Sequence, residues 1–144
     1  MNRKIKNATP YEYNGIHFRS KLEVGTYKHL VEAGYKPEYE PDVITLLPAF
    51  RPSSPWFLDG EPQVTKKGEV NIVRKKTYTP DFKLVVGEHT FYIESKGFAN
   101  DRFGVERKMF LDWIEKQEDK NIHFAEIHTM RGLHKLIEKL RQLG

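Results

Sequence analysis

Gly87 and Glu88 stand between two short runs rich in Val, Phe, Tyr, Ile and Thr, Asp81 to Val86 and Thr90 to Ser95, and restrict the fold more tightly than any other feature. A two-residue connection with Gly at its first central position makes a tight hairpin, because Gly takes the required positive φ without steric cost. Register then follows by counting. Val86 faces His89, Val85 faces Thr90, Leu84 faces Phe91, Lys83 faces Tyr92, Phe82 faces Ile93, and Asp81 faces Glu94. Directly opposed residues hold their Cβ atoms about 5 Å apart, so two carboxylates could share one cation and would repel without it. Strand alternation places Lys96 on the face of Glu94 and turns Phe82, Leu84, Phe91 and Ile93 toward the core.

The remaining elements frame that hairpin. Leu22, Tyr27, Leu30 and Val31 recur at helical spacing over Ser20 to Ala33, with Gly34 as the stop. Ser20 and Glu23 form the S-x-x-E pattern of a capping box, in which each side chain satisfies an orphan backbone donor of the other. Tyr35 to Leu47 is extended, and Pro37 and Pro41 confine it to an edge or an irregular strand, with pairing expected around Val43 to Leu47. Pro48 to Lys67 holds four prolines and reads as an insertion without regular structure. Its Trp56 and Phe57 could stack on bases or pack a partner, while a loop folded back on its own domain is the plainer description. Glu69 to Thr79 reads as a strand leading into the hairpin. Val105, Met109, Phe110, Trp113 and Ile114 mark a second helix with Asn100 or Asp101 as cap; Ile122 to Ile127 is a strand; and Thr129 caps a last helix carrying Leu133, Leu136, Ile137 and Leu140.

Composition limits the chemistry. With 144 residues the chain suits one α/β domain with a mixed sheet, spanning residues 1–144. It has no cysteine, so disulfides, thiolate zinc sites and a cysteine nucleophile are excluded, and any metal must be held by oxygen or imidazole. The six histidines show no metal-ligand spacing on a common face, and packing or surface roles are expected for each. No run is apolar enough for a membrane span, and the start lacks a signal segment, so a cytoplasmic protein is expected. The net charge of +4 favours a polyanionic partner. Basic residues gather at Arg3, Lys4 and Lys6 and again at Lys66, Lys67, Arg74, Lys75 and Lys76. The second group is the best candidate for a DNA track, although such clusters are commonly solvated surface. Arg19 and Lys21 are further candidate phosphate contacts, against the plainer reading of helix-end charge.

Two carboxylates suit a hard cation, Mg²⁺ or Mn²⁺, which takes one or two protein carboxylates, several waters and a substrate phosphate. With Lys96 beside them, these residues suit hydrolysis of a phosphodiester without a covalent enzyme intermediate. Tyr78-Thr79-Pro80-Asp81-Phe82 followed by Ile93-Glu94-Ser95-Lys96-Gly97 resembles the PD-(D/E)XK motif of the restriction-endonuclease-like nuclease superfamily. Phe18-Arg19-Ser20-Lys21-Leu22-Glu23 resembles the helix that adds an acidic ligand in many members, and small phage-type nucleases that resolve branched DNA are the nearest resemblance. It covers roughly residues 15 to 130. The resemblance implies a central mixed sheet flanked by helices with an αβββαβ core. It further implies Asp81, Glu94 and the Ser95 main-chain carbonyl as metal ligands, Lys96 as the catalytic lysine, and Glu23 as an accessory ligand. The expected activity is a metal-dependent DNA endonuclease acting on branched or structured DNA as a homodimer. A sequence-specific restriction-type or transposon-end nuclease, and a non-catalytic DNA-binding protein of the same fold, are the alternatives.

Overall fold

The computed structural model describes residues 11–97 and 101–144. Arg3, Lys4, Lys6 and the candidate cap Asn100 lie outside them. Two compact units divide the chain, one from Met1–Asp42 and Thr79–Gly144, the other from Val43–Tyr78.

The first unit begins with a small hairpin of β1 (Glu12–Tyr13) and β2 (Ile16–His17), turned by Asn14 and Gly15. Helix α1 (Lys21–Glu32) starts at Ser20, whose hydroxyl accepts from the Glu23 N–H. It stops where Gly34 adopts φ +97°. Strand β3 (Glu38–Tyr39) follows, placed by Pro37 and Pro41 at the edge of the sheet, where a missing ladder donor does no harm.

The chain then enters the second unit. Here β4 (Ile44–Leu47) is the strand expected around Val43 to Leu47. Inside the proline-rich stretch, β5 (Phe57–Leu58) and β6 (Glu61–Pro62) pair as a hairpin turned by Asp59 and Gly60, both with positive φ. Asp-Gly is a pair that a tight reversal favours, so four residues pair within an insertion expected to be irregular. Trp56 and Phe57 are exposed rather than folded away. The expected strand Glu69 to Thr79 shrinks to β7 (Lys76–Tyr78), antiparallel to β4, with isolated bridges Val64 to Val70 and Phe50 to Val73 before it. A turn around Gly68 consumes the start of that segment: Gly68 N–H donates to the Thr65 carbonyl, and Thr65 N–H to that of Glu69.

Back in the first unit come β8 (Phe82–Val86), β9 (His89–Ser95), α2 (Asp101–Glu115), β10 (Ile122–Ile127) and α3 (Met130–Leu143). They complete a mixed sheet of order β10-β9-β8-β3, in which only β10 and β9 run parallel. The β8–β9 ladder pairs Val86 with His89, Val85 with Thr90, Leu84 with Phe91, Lys83 with Tyr92 and Phe82 with Ile93, the register counted from the turn. Gly87 sits at φ +61° while Glu88 keeps a negative φ, as a turn with Gly at its first central position requires.

One face of the sheet presents Phe82, Leu84, Val86, Phe91, Ile93 and Ile127 to Phe18, Leu30, Leu133, Ile137 and Leu140 in a buried core. Each fully buried side chain of this kind stabilises the fold by roughly 1.5–3 kcal/mol. The opposite face carries Tyr92 and Phe124, whose rings meet Phe110 of α2 edge-on at 5.5 Å each. The first unit is therefore mixed α/β, with helices on both faces of its sheet.

A Cβ built on Gly87 would meet only the Leu143 carbonyl at 3.8 Å, so substitution there is penalised by backbone strain alone. Gly87→Ala is expected to cost about 1–2 kcal/mol and Gly87→Asn less, because Asn tolerates the left-handed region. Phe82→Ala should cost about 3–5 kcal/mol by opening a core cavity. Urea unfolding measures all three, and a neutral Gly87→Ala would show that the turn does not hold the ladder.

Candidate active site

Asp81 precedes β8 by one residue and is fixed from two sides by main-chain bonds. Its carbonyl accepts from the Glu40 N–H at 2.8 Å, and its Oδ2 accepts from the Ser95 N–H at 2.8 Å. The side chain is thereby tied to β9 at the residue after Glu94. Asp81 is 5% exposed and Glu94 7%, so both acids sit out of bulk water where the hairpin ladder runs out. Lys96 follows, its N–H donating to the Ile127 carbonyl and its Nζ standing 3.7 Å from Glu94 Oε2. Its ammonium also lies 4.9 Å from the centre of the Phe103 ring, a cation–π contact from α2.

Helix α1 supplies the next layer. Thr26 donates its hydroxyl proton to the Leu22 carbonyl at 2.8 Å, so in its 2.9 Å contact with Ser95 Oγ the serine is the donor. This buried pair joins α1 to the site strand. Glu23, 6% exposed, accepts on Oε1 from the Arg19 N–H at 3.0 Å and from the Tyr39 hydroxyl at 2.7 Å. The capping pattern is thus half as expected: Ser20 caps Glu23, but Glu23 reaches one residue further back, to Arg19. Burial, then the Glu23 carboxylate, push the Tyr39 hydroxyl above its usual range, which keeps it a donor.

The electrostatic result falls on Asp81. Burial and then the Glu94 charge push its carboxyl up to about 8, with Glu23 and Glu40 adding to the effect and the Ser95 N–H opposing it. Of the residues expected at the centre, Lys96 pairs with Glu94, and Asp81 feels the charge of Glu94 and, more weakly, that of Glu23. Arg19 forms an exposed ion pair with Glu40 at 2.9 Å, and Lys21 is the exposed first residue of α1. Lys66, Lys67, Arg74, Lys75 and Lys76 all belong to the second unit.

Among the described residues, no three His, Asp or Glu side chains close around a single point that could hold a metal ion. The donor set nevertheless fits a hard divalent cation of the kind that takes two carboxylates and completes its sphere with water and substrate oxygen. The fit rests on the chemistry of the donors: both acids are buried, and burial with the Glu94 charge raises the carboxyl of Asp81, so a cation beside them would relieve their repulsion.

Sequence reasoning did not single out Tyr39, Glu40, Arg107 or Glu126. Glu126 stands beside Glu94 in the parallel pairing of β10 and β9, and Arg107 of α2 bonds it at 2.7 Å. No turn sets that register, so counting along the chain could not find it. No family model matches this chain, and no curated protein matches it.

A carboxyl whose folded pKa lies above its unfolded value of about 3.9 binds its proton more tightly when folded. Its contribution to stability is full below that value and is lost as pH rises toward about 8. In EDTA, wild type should therefore lose stability between pH 4 and 8 relative to Asp81→Asn. The gap at pH 8 should be on the order of a few kcal/mol. Urea midpoints across that range test this, and parallel curves for the two proteins would count against the raised carboxyl.

Proposed function

We propose that the chain is a divalent-metal-dependent DNA endonuclease with a restriction-endonuclease-like core, acting on branched or otherwise structured duplex DNA. The observation that carries this reading is the meeting of Asp81, Glu94 and Lys96 at the end of one hairpin, with Asp81 pushed up to about 8 by burial and its acidic neighbours. The element order α1, β3, β8, β9, α2, β10 supports the αβββαβ core. Mg²⁺ or Mn²⁺ would be held by Asp81, Glu94 and the Ser95 carbonyl, with Glu23 as the accessory acid. When bound, the cation supplies Lewis-acid stabilisation of the charge that develops on a phosphodiester.

The protein's own groups do the rest. The Ser95 N–H aims the Asp81 carboxylate, and the Thr26 hydroxyl holds Ser95 in turn. Lys96 places an ammonium beside Glu94, where it can orient the attacking water or offset charge on the phosphate. Phe103 covers one side of that ammonium and limits its hydration. Lys66, Lys67, Arg74, Lys75 and Lys76, with Arg19 and Lys21, provide phosphate contacts, and a two-fold dimer is the simplest assembly for cutting two strands.

Plasmid nicking with Mg²⁺ tests the centre: Asp81→Ala and Lys96→Ala should each lower the rate about 10²–10³-fold. Equal activity in all three proteins would sink the assignment, while binding without nicking by any of them would select a non-catalytic DNA-binding protein. Digesting linear, nicked, forked and four-way DNA decides between shape and sequence as the recognised feature. In Ca²⁺, Lys75→Ala should reduce the slope of log K against log salt by about one if that residue meets a phosphate.

A further inference from the structure

The acids of the site continue beyond the hairpin. Glu126 lies next to Glu94 in the parallel register of β10 and β9, so the two side chains share the face that α2 covers. Unlike Asp81, Glu126 is fully compensated. Arg107 donates to it from Nε at 2.7 Å and from Nη2 at 3.4 Å, and His128 Nε2 stands 2.6 Å from its Oε2. Arg107 first, then His128, hold the Glu126 carboxyl below its usual range, so it keeps its charge and its grip on the arginine.

The manner of that grip leaves the arginine half used. A guanidinium has two hydrogen-bonding edges, one made by Nε with Nη2 and one by Nη1 with Nη2. Glu126 takes the first. Among the described residues none takes the second, which keeps the fork geometry that suits phosphate oxygens on a side chain still 39% exposed. Arg107 also shares a ring with the site lysine: its guanidinium carbon is 5.8 Å from the centre of Phe103, and Lys96 Nζ is 4.9 Å from the same centre. Lys96 and Arg107 thus meet at one aromatic ring beside the acidic pair, so a phosphate held by one lies close to the other.

We propose that Arg107 is a phosphate-binding residue of this site, held through one edge by Glu126 so that its free edge takes the non-bridging oxygens of the DNA strand being cut. The proposal rests on the nuclease reading and names a second cation, besides Lys96, for its substrate. Glu126 is a positioning residue that acts through Arg107 and is not a metal ligand.

The experiment uses the whole chain and a four-way DNA junction, with binding measured in Ca²⁺ and cleavage in Mg²⁺. Arg107→Ala should weaken binding about tenfold, raise KM more than it lowers kcat, and reduce the salt slope by about one. Arg107→Lys, which keeps the charge but loses the fork, should recover part of the affinity, and Glu126→Gln should fall between wild type and Arg107→Ala. A purely structural ion pair would instead shift the urea midpoint and leave the salt slope and the KM of the folded protein unchanged. That result, or wild-type binding by both Arg107 variants, overturns the proposal while active wild type leaves the nuclease reading standing. If wild type neither binds nor cuts the junction, both fall together.

Discussion

The bond from the Ser95 N–H to Asp81 Oδ2 holds the candidate site together. It closes the open end of the β8–β9 ladder, where main-chain pairing has stopped, and uses a side-chain oxygen in place of a carbonyl. The other end of the ladder is closed by the Gly87 turn. Between these two points the register cannot slip by one residue without sending Phe82, Leu84, Phe91 and Ile93 out of the core. Burial of four large side chains therefore determines which oxygen atoms face one another at the far end.

The same burial sets up a conflict between stability and chemistry. Acids removed from water and placed near one another are unfavourable when ionised. Three acids near the sheet are met locally: Glu40 by Arg19, Asp42 by Lys83 and Tyr92, Glu126 by Arg107 and His128. Asp81, by contrast, has its carboxyl pushed up to about 8 by burial and the Glu94 charge, and Lys96 stands 3.7 Å from Glu94. A carboxyl raised by burial beside a second acid is a common mark of a functional centre.

Much of this arrangement was legible in the chain because its determinants are local. The hairpin register followed from a two-residue turn, the helix starts from Ser20 and Thr129, and β10 from its apolar run Ile122–Ile127. Lys96 followed from strand alternation. What could not be read depends on contacts between distant segments. The parallel offset that puts Glu126 beside Glu94 joins distant segments, with Phe124 packed against Phe103 and Phe110 of α2. Glu23 satisfies Arg19 rather than Ser20 because Tyr39, sixteen residues on, draws the same oxygen. The proline-rich insertion hid the Asp59-Gly60 hairpin, since its two strands are only two residues each and carry no periodicity.

The second unit leaves the chain after β3 and returns just before β8, and those two strands are neighbours in the sheet, with Tyr39 opposite Phe82. Its entry and exit are thus anchored side by side, whatever lies between them. Lengthening such an excursion adds loop-closure entropy of only about 0.6 kcal/mol per doubling. The span from Val43 to Tyr78 can accordingly be lengthened at small entropic cost while the strand that begins at Phe82 keeps its place.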